Sequence, residues 1–271
     1  MGKQKIPLTD DLKIGLVFSG GGSRGAWQVG AWKAMQELGI DKYVTVVAGT
    51  SIGAINGAAF VQGELALIED IWAEMEFQKI FTSIKEKRNL LLRLGREVLQ
   101  SRGADVNPLK LLIRDYINED KIYSSPVGYS LVTVNVTKRR FEYIRKKDVP
   151  KGALTEYIIA SSTFPLFKTH LINKHKFVDG GVYNNIPLDE CVNHSSEPTV
   201  IISLNVTNIS SLNPFRIYDY RKLKAMVNLV DVKPSISMGS VLNFEKGKAR
   251  SFLKIGYDDA LKTFLENFNF C

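Results

Sequence analysis

Residues 14–25 read Ile-Gly-Leu-Val-Phe-Ser-Gly-Gly-Gly-Ser-Arg-Gly, a short apolar run followed at once by a glycine-rich turn. The run Ile14–Phe18 has the length and apolarity of a buried strand. Behind the turn, residues 26–38 carry apolar side chains at helical spacing, and Gly39 is a suitable residue to end that helix. This stretch therefore predicts a strand, a glycine-rich loop and a helix in succession.

The same pattern recurs a short distance along the chain. An apolar run over residues 44–48 precedes the turn Gly49-Thr-Ser-Ile-Gly53, and a second helix is predicted to begin within residues 51–60. An order of strand, helix, strand and helix is typical of a parallel sheet built with right-handed crossovers. The fold class predicted from these elements is α/β.

The rest of the sequence predicts a mixture of helices and strands. Helices are predicted over residues 64–76, 108–118, 155–162 and 258–268, and strands over residues 128–136, 140–144, 177–178 and 199–206. Asn107 and Pro108 are predicted as the N-cap and first residue of the second of these helices. The sequence has no internal repeat, low-complexity stretch or evident linker. One domain over residues 1–271 is therefore expected.

The composition is that of a globular protein with a basic surface. Of the 271 residues, 45% are hydrophobic and 24% are charged, and the formal net charge is +8. A positive surface favours anionic partners such as lipid headgroups or nucleic acid. Because no run of five Lys or Arg residues and no nucleic-acid recognition motif occurs, an anionic membrane surface is the expected contact and nucleic acid is not.

Targeting and metal-binding patterns are also missing from the sequence. The N-terminus lacks the apolar stretch of a secretory signal, and Ile6 stands where a myristoylation motif needs Ser or Thr. No apolar run reaches the ~18 residues of a membrane span. The expected location is the cytoplasm, with peripheral contact at a membrane. Cys191 and Cys271 are too few for a disulfide framework, and no metal-site spacing occurs, so no metal or other cofactor is expected.

The first glycine loop has two competing interpretations. Residues 20–25 match the Gly-x-Gly-x-x-Gly fingerprint, which makes a dinucleotide- or phosphate-binding protein the alternative function. That fingerprint also needs an acid near the end of the second strand, whereas Asp41 lies before that strand and residues 48–51 contain no acid. A Walker phosphate loop is excluded because Ser23-Arg-Gly replaces its Gly-Lys-Ser/Thr.

The second interpretation is an oxyanion loop for acyl transfer. Backbone N–H groups at the start of a helix stabilise negative charge, and glycines allow a substrate to approach them closely. The residues predicted for this loop are Gly20, Gly21, Gly22, Arg24 and Gly25. Gly21 and Gly22 are predicted to donate their N–H groups, and Arg24 either assists electrostatically or holds the loop by hydrogen bonds.

The second turn has the pattern of a nucleophile elbow, Gly49-x-Ser51-x-Gly53. It follows an apolar strand and precedes a helix of small residues, which is the context that the pattern requires. The structural alternative is a tight turn in which Ser51 is only the N-cap of the helix. As an elbow, the turn presents Ser51 as a nucleophile, which then needs a base.

The candidates for that base are His170, His175, His194 and Asp179. The histidines follow the serine in the chain, as the base of many hydrolases does, but each is also typical of a solvated surface residue. Asp179 follows a short strand and precedes Gly180 and Gly181, which predict a tight turn near other backbone. A carboxylate whose pKa is raised toward neutrality can accept the serine proton directly. Asp179 is therefore the preferred base.

Together these blocks resemble the patatin-like phospholipase family. The resemblance rests on Gly20–Gly25, Gly49–Gly53, Ala160-Ser-Ser-Thr-Phe-Pro165 and Asp179-Gly-Gly181, in that order, within residues 14–190. Each block alone is weak, whereas four in order within strand–turn–helix context are specific. The sequence departs from common family patterns in having Ser19 before the glycines and Gly-Gly rather than Gly-Ala after the aspartate.

The resemblance implies a single three-layer α/β/α domain with a mainly parallel central sheet. Residues 14–190 would form its motif-bearing core, and the C-terminal third would extend the same domain. The implied activity is that of a lipid acyl hydrolase, a phospholipase A or lysophospholipase, acting through an acyl-enzyme on phospholipid or another acyl lipid. Ser51 would be the nucleophile and Asp179 the base of a dyad, without calcium or another cofactor.

Residues 84–100 combine leucines at helical spacing with five basic side chains. A basic amphipathic helix can lie in a membrane interface or cover a site as a lid. The alternative is a helix that packs its leucines on the core and leaves its basic face in water.

Overall fold

The computed structural model describes residues 4–76, 103–207, 228–245 and 247–270. The strands are β1 (Ile6–Pro7), β2 (Ile14–Phe18), β3 (Val44–Thr50), β4 (Gly128–Asn135), β5 (Arg140–Arg145), β6 (His170–Ile172), β7 (His175–Asp179), β8 (Val200–Leu204), β9 (Asn228–Val232) and β10 (Phe268–Asn269). The helices are α1 (Gly25–Glu37), α2 (Ile52–Gln62), α3 (Leu65–Ala73), α4 (Asn107–Tyr116), α5 (Glu119–Ser124), α6 (Leu154–Ser161), α7 (Leu188–Val192) and α8 (Lys248–Asn267). The predicted helix within residues 84–100 lies outside the described residues.

Within these ranges, eight strands form one sheet in the order β6-β7-β4-β3-β2-β8-β9, with β5 paired to β4. Strands β4, β3, β2, β8 and β9 pair in parallel, whereas β5, β6 and β7 are antiparallel additions at one end. The prediction of a mainly parallel central sheet is confirmed. Strands β1 and β10 form a separate parallel pair.

Helices cover the central strands on both faces, because alternate residues of a strand point to opposite sides of a sheet. Leu16 and Phe18 belong to the larger hydrophobic cluster, which includes residues of α1 and α2. Val17 belongs to a second cluster on the opposite face, where Leu188 of α7 packs. All five residues of β2 are buried, as expected for an interior strand of a parallel sheet.

The C-terminal helix α8 packs directly on α1, and two glycines permit the close approach. A Cβ atom at Gly30 would lie 1.9 Å from the carbonyl oxygen of Leu253, and one at Gly256 would lie 1.9 Å from that of Trp27. The Trp27 indole also donates a 2.8 Å hydrogen bond to Asp259. Helix α8 begins ten residues earlier than the sequence predicted, and this first half buries Phe252 and Leu253 against the core.

Two local predictions need correction. Helix α4 includes Asn107, and Val106 occupies the N-cap position without a capping side chain. The backbone N–H of Asn107 instead donates to Asp105 Oδ1 at 2.9 Å. Strand β9 and the short strands β1, β6 and β10 were not predicted, although Val230 and Val232 of β9 are buried in the core. The turn between β6 and β7 places Asn173 and Lys174 in the left-handed region.

Candidate active site

Strands β3 and β7 meet end to end on one edge of β4. Thr50, the last residue of β3, pairs with Val132, and Asp179, the last residue of β7, pairs with Thr133, the next residue of β4. Both strands lie on the edge of β4 opposite β5, because β5 pairs with the same β4 residues. The residue after β3 is Ser51. The sheet therefore brings Ser51 and Asp179 together from opposite directions.

The turn that carries Ser51 has the geometry of a nucleophile elbow. Ser51 adopts φ 58° and ψ −127°, a conformation that non-glycine residues rarely occupy and that occurs mainly at functional sites. The flanking glycines are required sterically. A Cβ at Gly49 would lie 2.3 Å from the carbonyl oxygen of Gly53, and one at Gly53 would lie 2.2 Å from that of Phe18. No side-chain hydrogen bond from Ser51 caps α2, which argues against the N-cap interpretation.

The carboxylate of Asp179 is buried and directly contacts the serine. Its Oδ2 accepts a 2.5 Å hydrogen bond from Ser51 Oγ, and its Oδ1 accepts a 2.7 Å bond from the N–H of Gly181. The side chain is only 4% exposed. Burial raises the pKa of Asp179 to about 6, and the two hydrogen bonds offset part of that rise. The group is therefore a carboxylate near neutral pH with appreciable basicity.

Most N–H groups of the first glycine loop are already hydrogen-bonded within the protein. Gly20 donates to the carbonyl of Asn185 at 3.0 Å, Ser23 to that of Val241 at 2.7 Å, and Gly25 to that of Gly22. The N–H groups of Gly21 and Gly22 make no such bond within the described part of the chain. These two amides lie in the wall of the pocket that also contains Ser51, so they remain available to a ligand.

Arg24 holds the loop in place by hydrogen bonds to two backbone carbonyls. Its guanidinium donates to Val206 at 3.2 Å and to Gly239. Desolvation lowers the pKa of Arg24 from its ordinary value, although an arginine stays charged at any physiological pH. The geometry favours the second of the two roles predicted for this side chain, while its charge still lies at the pocket wall.

The sequence prediction missed Asn184 and Asn185, which tie the three motif blocks together. Asn185 Nδ2 donates to the carbonyl of Gly20 at 3.2 Å, alongside the backbone bond that Asn185 accepts from the same glycine. The carbonyl of Asn184 accepts a 2.9 Å bond from Thr50 Oγ1, and its amide donates to Asp189 at 2.8 Å. The pair Asn-Asn shortly after Asp179-Gly-Gly was the available signal.

Two serines of the block Ala160–Pro165 support the elbow from α6. Ser161 Oγ accepts a 3.0 Å bond from the N–H of Ser51 and donates a 2.7 Å bond to the carbonyl of Val132. Ser162 Oγ donates to the carbonyl of Ser51 at 3.2 Å. Gly180 passes so close to β4 that a Cβ there would lie 2.1 Å from the Val132 oxygen. The two serines and the close approach of Gly180 thus fix the junction of β3, β4 and β7.

Ser51 and Asp179 lie in a cavity of about 490 Å³ with a largely apolar lining. Its apolar and aromatic walls are formed by Ile52, Ile55, Trp72, Met75, Leu109, Phe164, Pro165, Phe167, Val182, Tyr183, Val241, Leu242 and Phe244. Its polar side chains are those of Arg24, Ser51, Ser162, Asp179, Asn185 and Thr207, and Gly20, Gly21 and Gly22 add backbone groups. A mainly apolar cavity of this size with a few polar groups is typical of a small-molecule binding site.

None of the three histidines lines this cavity. His170 is 5% exposed rather than solvated as predicted, and its Nε2 lies 2.8 Å from Glu156 Oε2. Burial and the charge of Lys110 lower the pKa of His170. His194 bonds to Ser196, at 2.8 Å. The predicted base Asp179 is therefore the candidate that the fold brings to the serine.

The described residues include no group of three or more His, Cys, Asp or Glu side chains suited to hold a metal ion. Across the described ranges, no helix has the combined length and apolarity needed to cross a membrane. The dinucleotide interpretation also finds little support. Strand β3 ends in Thr50, whose hydroxyl is bonded to Asn184, and residues 20–25 leave two amides for a ligand rather than a full phosphate cradle.

Comparison with known proteins agrees with the arrangement of strands and motifs. The family model for patatin-like phospholipase matches residues 16–192. The chain is 29% identical over 243 residues to the patatin-like phospholipase domain-containing protein ZK370.4 of Caenorhabditis elegans, covering 88% of this chain and 17% of that protein. It is 29% identical over 201 residues to patatin-like phospholipase domain-containing protein 7 of Rattus norvegicus, covering 71% of this chain and 13% of that protein.

Solved structures show the same fold at low sequence identity. VipD from Legionella pneumophila superposes with a TM-score of 0.54 at 14% identity, over 96% of this chain and 68% of that one. ExoU in complex with SpcU from Pseudomonas aeruginosa gives a TM-score of 0.53 at 13% identity, over 96% and 53%. The chain spans less than a fifth of the length of the two curated relatives. Since the family model covers more than half of it, the chain belongs to the patatin-like phospholipase family.

Proposed function

We propose that this protein is a lipid acyl hydrolase of the phospholipase A or lysophospholipase type, with Ser51 as nucleophile and Asp179 as base. The observation that carries the proposal is the 2.5 Å hydrogen bond between Ser51 Oγ and Asp179 Oδ2 inside a largely apolar cavity. Family membership supports the same reaction class. Fold alone does not determine function, so the argument depends on the chemistry of the dyad.

Asp179 has the properties that a direct base for serine requires. Its pKa of about 6 is close enough to neutrality for useful proton transfer, and most of the group is still ionised at pH 7. The bond from Gly181 orients the carboxylate by holding Oδ1, which leaves Oδ2 for the serine proton. No histidine is needed in this arrangement.

The free amides of Gly21 and Gly22 are the proposed oxyanion donors. As Ser51 Oγ bonds to the ester carbonyl carbon, negative charge develops on the carbonyl oxygen, and fixed N–H donors stabilise it without reorganisation. Gly20 lies beside the serine, since a Cβ at Gly20 would be 3.2 Å from Ser51 Cβ. Loss of one such donor typically raises the barrier by ~3 kcal/mol.

The proposed reaction has two balanced steps. In the first, Asp179 accepts the Ser51 proton, the tetrahedral intermediate collapses, and the alcohol part of the lipid leaves with that proton. The fatty acyl group then remains on Ser51 Oγ as an ester. In the second step, Asp179 accepts a proton from water, the hydroxyl attacks the acyl-enzyme, and Ser51 Oγ leaves with the proton as the fatty acid is released.

The remaining sequence expectations stand as parts of this proposal. The substrate is a phospholipid or another acyl lipid whose chain lies along the apolar cavity walls. The enzyme needs no metal or other cofactor, works in the cytoplasm, contacts anionic membranes peripherally and binds no nucleic acid. Residues 1–271 fold as one domain, consistent with the packing of α8 on α1.

The proposal is tested with a medium-chain p-nitrophenyl ester and a phospholipid. Wild type is compared with Ser51→Ala and Asp179→Ala, and circular dichroism confirms that each variant folds. Loss of hydrolysis of both substrates in both variants supports the dyad. Retained activity in folded Ser51→Ala, or retained activity in folded Asp179→Ala, contradicts the assigned roles. An inactive wild type contradicts the hydrolase proposal itself.

A further inference from the structure

The antiparallel end of the central sheet presents an exposed apolar face. Cross-strand pairs share a face, and Val134 pairs with both Phe141 of β5 and Val178 of β7. Leu171 of β6 lies on the same face, because it pairs with Lys176, two residues from Val178. We call this the hairpin face; it consists of Val134, Val136, Phe141, Leu171, Lys176 and Val178.

Large side chains on this face are open to solvent. Leu171 is 60% exposed, Val136 is 43% exposed and Phe141 is 39% exposed. The opposite face of the same strands is covered, since Phe177 is buried against Tyr157 of α6 with ring centroids 5.7 Å apart. One covered and one exposed apolar face is unusual for a sheet, because the outer face of an antiparallel sheet is normally polar. Contiguous exposed apolar surface marks an interaction site.

Basic side chains surround the hairpin face. The turn between β4 and β5 carries Lys138 and Arg139, the turn between β6 and β7 carries Lys174, and β7 contributes Lys176. The two turns are held together, because Val136 donates its N–H to the carbonyl of Lys176 at 2.8 Å. Within the described ranges, no salt bridge involves any of these four residues. Their charges are therefore available to an anionic partner.

The hairpin face is continuous with the mouth of the catalytic cavity. The ring of Phe141 stacks on that of Tyr183, with centroids 3.6 Å apart and an angle of 8° between the planes. Tyr183 and its neighbour Val182 line the cavity, and Val182 is 44% exposed. The stacked rings of Phe141 and Tyr183 thus join the hairpin face to the lining of the cavity.

We infer that the hairpin face docks the protein on an anionic phospholipid membrane. This inference rests on the proposed lipid hydrolysis, since it places the cavity mouth against the surface that holds the substrate. Apolar side chains enter the boundary between headgroups and acyl chains, while lysines and arginines bind anionic headgroups. Two copies of a face with this charge would repel each other, so the charge favours a lipid surface over self-association.

The test compares two double variants that change net charge equally. Leu171→Asp with Lys176→Glu alters a cross-strand pair of the hairpin face. Leu265→Asp with Lys262→Glu makes the same substitutions on α8, where Leu265 is 46% exposed and Lys262 is also exposed. Both are made in the full chain, and binding is measured by flotation with phosphatidylglycerol-containing vesicles in a Ser51→Ala background, so that hydrolysis cannot alter the lipid.

The hairpin variant is expected to bind anionic vesicles at least about tenfold more weakly than the α8 variant, which binds like its parent. When the same double variants are made with Ser51 intact, both are expected to cleave a short-chain soluble ester at the wild-type rate. Failure of the parent to bind anionic vesicles overturns the inference, as does equal binding of the two variants. A dimer in sedimentation experiments that the hairpin variant alone dissociates also overturns it.

The two proposals fail in distinguishable ways. Vesicle binding is scored without turnover, so it can be lost or retained whatever the catalytic result. If wild type does not hydrolyse a soluble ester, the hydrolase proposal is contradicted, but the vesicle-binding measurement stays valid. Normal soluble-ester hydrolysis with no preference for the intact hairpin face contradicts only the docking inference.

Discussion

Ser51 Oγ lies 2.5 Å from Asp179 Oδ2, although 128 residues separate the two along the chain. Their strands approach along one edge of β4 and stop at adjacent residues, Val132 and Thr133. The dyad is therefore positioned by sheet register rather than by a flexible loop. Sites built on strand ends hold their geometry more accurately than sites built on loops, which suits the proposed base, since it makes a single hydrogen bond to the proposed nucleophile.

The pH dependence of hydrolysis should follow the ionisation of Asp179. Burial raises the pKa of this carboxyl to about 6, and only the deprotonated form can accept the serine proton. We expect kcat/KM for a soluble ester to rise with pH through about 6 and to level off above it. A profile measured from pH 4 to 8 checks this. A rate that stays constant down to pH 4 would show that Asp179 is not the base.

The same carboxylate should cost stability above its pKa. A carboxyl whose pKa is raised from 3.8 to about 6 in the folded protein binds its proton more tightly there than in the unfolded chain. The contribution of Asp179 to the free energy of unfolding is therefore greatest below pH 3.8. It decreases by about 3 kcal/mol in total as the pH rises to about 6. Asp179→Asn removes this dependence.

We expect the unfolding free energy of Asp179→Asn minus that of wild type to be larger at pH 8 than at pH 4, by up to about 3 kcal/mol, because only the wild type loses stability over this range. Urea denaturation at the two pH values measures the difference. A pH-independent difference between the two proteins would contradict the raised pKa. Ionisation of Asp179 would then not lower the free energy of unfolding.

A methyl group at Gly53 should be far more damaging than one at Gly63. At Gly53 the added Cβ would lie 2.2 Å from a backbone oxygen of β2, whereas at Gly63 nothing lies within 4 Å. Gly63→Ala incurs only the cost of its φ of 74°, about 1 kcal/mol. We expect Gly53→Ala to lower the unfolding free energy by about 3 kcal/mol. Equal losses in urea denaturation would contradict the steric account of the elbow.

Asn185 should position the oxyanion loop without touching the reacting atoms. Its side chain holds the carbonyl of Gly20 at 3.2 Å, next to the proposed donors. Small displacements of such groups reduce rates strongly, so Asn185→Ala should lower kcat by about tenfold to a hundredfold with little change in KM. The control is Asn267→Ala, which removes a 2.8 Å bond to a backbone carbonyl within α8. Equal kcat in the two variants would contradict the positioning role.

Much of the central fold could be predicted from the sequence because its local patterns are strong. The apolar runs of β2 and β3 and the glycine turns behind them mark strand ends unambiguously, and residues 25–62 differ from prediction by only one or two residues at element boundaries. Parallel pairing followed from strand–helix alternation. Helix α8 was less predictable, since its packing on α1 depends on the close approach at Gly30 and Gly256 as well as on buried apolar side chains such as Phe252.

The site was predictable as a set of motifs but not as a network. Ser51 and Asp179 were expected from short patterns that constrain backbone shape. The contacts that support these two residues were not expected. Ser161, Asn184 and Asn185 act through tertiary hydrogen bonds, which produce no periodic pattern in the sequence. His170 was misjudged for the same reason, since its burial depends on the distant Glu156. The proposed single domain over residues 1–271 remains a prediction of the sequence.

The central claim, that Ser51 is the nucleophile activated by Asp179, is tested most directly by covalent trapping. Wild type, Ser51→Ala and Asp179→Asn are treated with an alkyl fluorophosphonate and followed by intact mass and peptide mapping. The account predicts one adduct per chain on Ser51, none in Ser51→Ala, and labelling of folded Asp179→Asn at least about a hundredfold slower than wild type. An adduct on another residue, or undiminished labelling in Asp179→Asn, would contradict it.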